Sequence, residues 1–202
     1  YKVMIDLSYM YNLGTSLTRL RLGYNPRHNL YKTLDSCIAE YVRVLGCSAG
    51  ISLEFLETEN IVAEVIYPNK RDRSRAVIYL SKGLIDCSDE EELRFILAHE
   101  VHNIHTAQTL KPIVTMKDFK LQNHEREFAA DVFGVDMTSL EAGLAAFATS
   151  DRVRKSSPDA EDMEHPSRNV RRKTLLESIR SKDNIAIVPD NINPSELATA
   201  AL

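Results

Sequence analysis

Between Leu30 and Leu45, apolar side chains recur at Leu30, Leu34, Ile38, Tyr41, Val42 and Leu45, the three-four spacing that turns one face of a helix toward a core. Gly46 follows as a stop, because a residue without Cβ closes a helix at little cost. The period then changes. Ile51 to Leu56 and Ile61 to Tyr67 alternate and are rich in β-branched residues, which predicts two strands, and the short connection Glu57 to Asn60 predicts that they form a hairpin. Polar Pro68 to Ser74 leads to a third predicted strand, Ala76 to Leu80, ahead of Gly83 and a short Leu84-Ile85 segment.

Ser88 followed by Glu91 has the S-x-x-E form of a capping box, so a long helix is predicted to start there. At about 100° per residue, Leu93, Leu97, Val101 and Ile104 fall on one side of it while His99 and Asn103 lie nearly opposite. One face thus belongs to the core and the other is free for chemistry. Pro112 ends that helix or lies just past its end. A second long helix is predicted from near Asn123, containing Glu127, Phe128, Asp131 and Val132, and a small-residue helix covers Ala142 to Ala148. Asp151 to Glu164 reads as a loop, Pro166 to about Arg180 as a last helix, and Asp183 to Leu202 as a loosely attached tail. The elements add up to a mainly helical α+β fold with a small antiparallel sheet, residues 1–182 forming one domain with the first helix lying across the sheet.

The 202 residues and 44% hydrophobic content suit a single globular core. A net charge of -4 without a sustained basic run excludes nucleic acid as the main partner. The short basic run Arg168 to Lys173 reads as a solvated helix face. No apolar stretch approaches the roughly 20 residues that cross a bilayer, so a soluble chain without a membrane span is expected, cytoplasmic or periplasmic. The start does not read as a signal peptide, and a beginning at Tyr1 is compatible with a signal, lipid anchor or membrane segment trimmed from upstream. Three cysteines, Cys37, Cys47 and Cys87, cannot all pair and lack Cys-x-x-Cys spacing, so they read as free or buried thiols and lean toward a reducing compartment; one disulfide plus one free thiol is also allowed.

Chemistry enters at His99-Glu100-Val101-His102-Asn103, which follows the zinc-peptidase pattern H-E-x-x-H with Asn where the second His belongs. In zinc peptidases with two His and one Glu ligand, the metal activates water and a neighbouring carboxylate takes its proton. Residues four apart on a helix are about 40° apart around its axis, so side chains at 99 and 103 converge on one ion while Glu100 reaches the water. The third ligand must come from a second helix. Glu127 can supply it, and Asp131, one turn later, can orient the imidazole from behind. Alone, these two acids would read as a solvated pair; beside the His-Glu helix the functional reading is the better one. Asn103 offers a neutral, harder amide oxygen that suits zinc less well than imidazole. Loss of even an orienting partner typically costs ~10–100-fold in affinity or activity, so weak metal binding is expected. His102 lies about 60° from His99 on the side away from Glu100, which would put the base on the wrong side of the metal; His102 and His105 therefore read as polar-face residues, and His28 and His124 as surface histidines.

The set as a whole resembles the HtpX and CAAX prenyl endopeptidase family, metallopeptidase family forty-eight. The resemblance is carried by the stretch Tyr79 to His99, with Leu80-Ser81-Lys82-Gly83-Leu84-Ile85 and Glu90-Glu91-Glu92-Leu93-Arg94-Phe95-Ile96-Leu97-Ala98-His99-Glu100. It extends to Glu127-Phe128-Ala129-Ala130-Asp131, similar to the E-x-x-A-D element, and to His165-Pro166-Ser167 with Arg171, similar to a His-Pro followed by an Arg that closes over the site. Three elements in order span residues 76 to 180, roughly half the chain. The resemblance implies a zincin-like metalloendopeptidase of the gluzincin type. Zinc would be held by His99, Glu127 and the residue at Asn103, with Glu100 as general base, Asp131 behind the ligand imidazole, and His165 with Arg171 on the developing oxyanion. The strand Ala76 to Leu80 would be the edge along which a peptide or protein substrate aligns. The shorter helix-turn-helix-associated metallopeptidases resembling ImmA and IrrE share the His-Glu helix but would not predict the His165-Pro166 element, and rank second. Asn103 fits either a silencing substitution or the natural residue of a weakened homologue. The competing class is a non-catalytic pseudopeptidase, a peptide- or protein-binding regulatory module that keeps the groove and has given up the metal.

Overall fold

The apolar spacing of Leu34, Ile38 and Tyr41 produces helix α1 (His28–Leu45), with all three side chains buried. The computed structural model describes residues 28–69, 73–108, 115–153 and 159–183. The expected helix end at Pro112, the tail beyond Asp183 and the first 27 residues of the expected domain lie outside them. Gly46 closes α1 at φ 62°, and the amides of Gly46 and Cys47 turn back to the carbonyls of Arg43 and Val42.

The strands β1 (Gly50–Leu56), β2 (Ala63–Ile66) and β3 (Arg75–Ser81) appear where alternation predicts them, but they pair differently. The sheet order is β1-β3-β2, with β1 parallel and β2 antiparallel to β3. The expected hairpin between the first two strands is therefore overturned, and the sheet is mixed rather than antiparallel. Two causes are visible. Glu57-Thr58-Glu59-Asn60 lacks the Asn-Gly type of dipeptide that closes a tight hairpin. The connection is instead fastened to the end of β3: Ser81 N donates to Val62 O, Val62 N to Ser81 Oγ and Gly83 N to Thr58 O. β3, whose Ala76, Ile78 and Leu80 are essentially inaccessible, takes partners on both sides. This also corrects the substrate edge expected at 76–80: that strand is central, and among the described strands the edges are β1 and β2. Of these, β2 packs on the helix that carries His99.

The crossing of the 57–62 connection over the start of α2 (Lys82–Cys87) requires glycine at 83, where a Cβ would lie 2.2 Å from Glu59 O and 2.8 Å from Asn60 O. Both are backbone atoms, so neither can swing aside. Gly83→Ala is expected to destabilise the fold by about 1–3 kcal/mol, the usual range for overpacking; urea denaturation measures it, and an unchanged midpoint would mean that the connection does not cross there.

Helix α3 (Glu90–Ala107) starts one residue later than the Ser88/Glu91 expectation. Asp89 is the N-cap: its carboxylate accepts from Glu92 N at 2.8 Å while Glu92 Oε2 accepts from Asp89 N at 2.9 Å, and Ser88 closes α2 instead. Leu93, Leu97, Val101 and Ile104 are buried in a core shared with α1 and the sheet. The opposite face meets α4 (Met116–Met137), which begins at Met116 rather than near Asn123, capped by Thr115 with Asp118. Its first turns carry little apolar signal, with Met116 and Leu121 exposed. Two further helices, α5 (Leu140–Val153) and α6 (Arg168–Asp183), pack on α4 and on each other. The described chain is thus mainly helical with one small mixed sheet. Cys37, Cys47 and Cys87 are free thiols, the first two buried. Among the described residues no helix is long and apolar enough to cross a membrane.

Candidate metal centre

Helices α3 and α4 run antiparallel, so His99 meets Asp131 while Asn103, one turn on, meets Glu127, one turn back. His99 Nδ1 lies 3.0 Å from Asp131 Oδ1, and His99 Nε2 lies 3.5 Å from Glu127 Oε2. Asn103 Nδ2 lies 3.0 Å from His99 Nε2 and donates to Glu127 Oε1 at 3.0 Å. Behind them Arg171, from α6, donates through Nε and Nη2 to the two oxygens of Asp131 at 2.8 and 2.6 Å, and its Nη1 lies 3.0 Å from Glu127 Oε2. His99, Glu127 and Asp131 are buried, with 8%, 3% and 1% of their surface exposed. Each of the sequence-nominated residues His99, Asn103, Glu127, Asp131 and Arg171 is therefore brought into one network.

When His99 is neutral, an ionised Asp131 accepts from Nδ1–H, which leaves the Nε2 lone pair facing Asn103 and Glu127. The amide hydrogens of Asn103 then satisfy Nε2 and Oε1, but Asn103 Oδ1 is buried without a partner. An amide nitrogen occupies the middle of the donor set, and its oxygen is the unsatisfied atom.

Do these residues fit a metal ion? Two donors about 2.0–2.2 Å from a tetrahedral zinc are separated by about 3.3–3.5 Å, and His99 Nε2 and Glu127 Oε2 stand 3.5 Å apart. The carboxylate behind the imidazole is the usual means of orienting a ligand His. Among the described residues no group of three or more His, Cys, Asp and Glu side chains is placed to hold a metal; the third position is the amide of Asn103. The fit is two strong donors and one weak one.

Electrostatics follow from burial and from charge. Burial alone would lower the His99 imidazole, but Glu127 and Asp131 outweigh it and raise its pKa to about 10. Asn103 works against that proton, since Nδ2 aims a donor at Nε2; protonation requires the amide to turn over and set its oxygen against Glu127. Burial would raise Glu127, yet His99 and Arg171 hold it far below the usual carboxylate range. Asp131 is likewise pulled down, against burial, by Arg171 and His99.

Folded carboxylates below their unfolded values contribute stability that is complete above the ordinary carboxylate range and lost as pH falls through and below it. A raised His contributes stability that is complete below its unfolded value and lost as pH rises toward the folded one. The melting temperature is therefore expected to peak between about pH 5 and 6.5 and to fall as pH rises toward 10. His99→Gln should flatten the alkaline limb; a limb unchanged by that substitution would show that His99 is not the titrating group.

Glu100 is half-buried and accepts no hydrogen bond from any described residue. Burial raises its pKa and Glu127 adds to the rise, while His99, Arg171 and Arg126 oppose it. Tyr67, at the end of β2, lies within electrostatic reach of Glu100 and of Arg126. A carboxylate that no described residue hydrogen-bonds, raised above its ordinary range, suits proton abstraction.

His165 lies on the exposed rim, with its side chain 47% accessible and Nδ1 3.3 Å from Asp162 Oδ1. The loop that carries it is pinned to α4 by Asn123 Nδ2 on Met163 O and His124 Nε2 on Asp162 O. His124 thus holds a loop rather than standing free at the surface. His102 packs on the Phe133 ring at a centroid distance of 5.6 Å, and its pKa is lowered to about 4 by burial. Neither His102 nor His105 joins the network.

The reading of Arg168 to Lys173 as a solvated face is overturned. Arg168 and Arg172 both pair with Asp151 of α5, and Arg171 and Arg172 lie over the Phe147 ring at 5.1 and 5.7 Å. Of the four basic side chains only Lys173 is well exposed, 77%. The helix turns its cations inward toward the buried carboxylates of α4 and the partly buried Asp151 of α5. Phe147, which lies under Arg171, and Asp151, which pairs with Arg168 and Arg172, are not marked by the sequence; the Arg168/Arg171/Arg172 spacing on one helical face is the signal that points to such a clamp. Arg171 spends its donors on Glu127 and Asp131, so the geometry makes it a positioning residue and leaves His165 as the rim group nearer solvent.

No protein-family model, curated protein or solved structure matches this chain.

Proposed function

We propose that this chain is a metal-dependent endopeptidase of the H-E-x-x-H type whose activity is weakened by Asn103. The observation that carries the reading is the pair His99 Nε2 and Glu127 Oε2, 3.5 Å apart on neighbouring helices, with Asp131 behind the ring and Glu100 the next residue on the same helix. His99, Glu127 and the amide oxygen of a turned-over Asn103 would hold zinc, which when bound supplies Lewis-acid activation of water and carbonyl. Asp131 keeps the imidazole in the tautomer that presents Nε2. Glu100 accepts the proton of the attacking water and returns it to the leaving amine. Arg171 fixes both carboxylates in place, and His165 is the rim group that can donate to the developing oxyanion. An extended peptide adding to the β2 edge would run past Glu100.

A second reading is favoured by one contact. Asn103 Nδ2 bridges His99 and Glu127 at 3.0 Å each, so a metal-free site keeps its ligands paired. A non-catalytic peptide-binding module would use that state, binding peptides indifferently to chelator. Asn103→His separates the two readings. The peptidase reading expects metal affinity to rise ~10–100-fold or more and chelator-sensitive cleavage of a mixed peptide library to appear or increase. No cleavage by a zinc-loaded Asn103→His variant would favour the binding module.

A further inference from the structure

We propose that the donor set of one imidazole, one carboxylate and one amide oxygen narrows this chain's discrimination between zinc and harder divalent ions, so that manganese(II), with iron(II) beside it, occupies the site wherever those ions are the more available. The inference rests on the metal-site reading above and concerns which ion that site selects. Position 103 is where the selection is made. An imidazole there would favour zinc strongly over manganese, whereas amide, carboxylate and water oxygens are the ordinary ligands of manganese and magnesium. Asn103 Oδ1 is buried without a partner among the described residues, so turning the amide over toward an ion would give that oxygen a partner in exchange for the two contacts that Nδ2 makes with His99 and Glu127. Glu127 is shared with Arg171 through Oε2 at 3.0 Å, which reduces the charge it can lend to any ion and leaves donor type to decide between ions. No thiolate stands among the donors to restore a preference for softer metals. Zinc remains the tighter binder in absolute affinity, as the general order of divalent ions requires, but a narrowed gap lets ion availability set occupancy.

The test is competitive equilibrium dialysis of the whole chain against zinc and manganese at neutral pH. Bound metal is read by elemental analysis, and manganese also by its paramagnetic resonance signal. The ratio of zinc to manganese affinity is expected to be at least ~10-fold smaller in the native chain than in Asn103→His, with manganese affinity little changed between them. Asn103→Asp, which keeps an oxygen donor and adds a negative charge, should retain the small ratio and keeps the comparison available if Asn103→His misfolds. Equal ratios in the native chain and Asn103→His, with binding abolished by His99→Ala, overturn this proposal alone. If neither chain binds either ion, or if binding survives His99→Ala, the metal-site reading falls and takes the proposal with it.

Discussion

Arg171→Ala is expected to lower folding stability by about 3–5 kcal/mol, the range for breaking a buried ionic network by removal of one partner. Arg171 contacts Asp131 through two nitrogens and Glu127 through a third, and its guanidinium lies over Phe147. Its side chain is 14% exposed, and the two carboxylates it serves are 4% and 1% exposed, so solvent screens none of these charges well. Without the cation two buried carboxylates face one imidazole and repel each other. Arg171→Lys keeps the charge but cannot form the paired contact to Asp131, and should fall between the two. Urea denaturation of the native chain and both variants measures this. A loss below about 1 kcal/mol for Arg171→Ala, the level of a surface pair, would mean that α6 does not close over the site as described.

Glu100→Gln made in the Asn103→His background is expected to reduce kcat by ~10²–10⁴-fold while leaving bound metal unchanged, the usual worth of a positioned general base. Gln preserves the shape and half-burial of the side chain but cannot take a proton. Burial raises the Glu100 pKa and no described residue hydrogen-bonds the carboxylate, so its protonated fraction grows as pH falls and cleavage should decline on the acid side. Glu127→Gln should behave differently, lowering metal affinity itself. A Glu100→Gln variant that cleaves at the unaltered rate would remove Glu100 from the chemistry and require another group to take the proton.

Much of this was legible along the chain. The core face of α3 follows from Leu93, Leu97, Val101 and Ile104, and the same periodicity sets His99 and Asn103 on the opposite side. Glu127 and Asp131, one turn apart, were recognisable as partners because a ligand pair on one helix needs a third donor from another. Pairing was less legible. Alternation marks a strand but says nothing about its neighbours, and β3 entered between β1 and β2 because its apolar core face is shielded best at the centre, while a connection without tight-turn residues was free to cross. The start of α4 was hidden because its first turns are solvated on nearly every side. The inward turn of Arg168, Arg171 and Arg172 was misread because charge runs are usually solvated; their partners, Asp151 and the α4 carboxylates, are distant in sequence and adjacent only after folding.

The number of divalent ions bound per chain by Asn103→His, compared with the same protein carrying His99→Ala, tests the shared pocket most directly. Dialysis against zinc followed by elemental analysis is predicted to find one ion in the first and none in the second. Absence of zinc from Asn103→His, or its retention after His99→Ala, would contradict the convergence of His99 and Glu127 on a common ion.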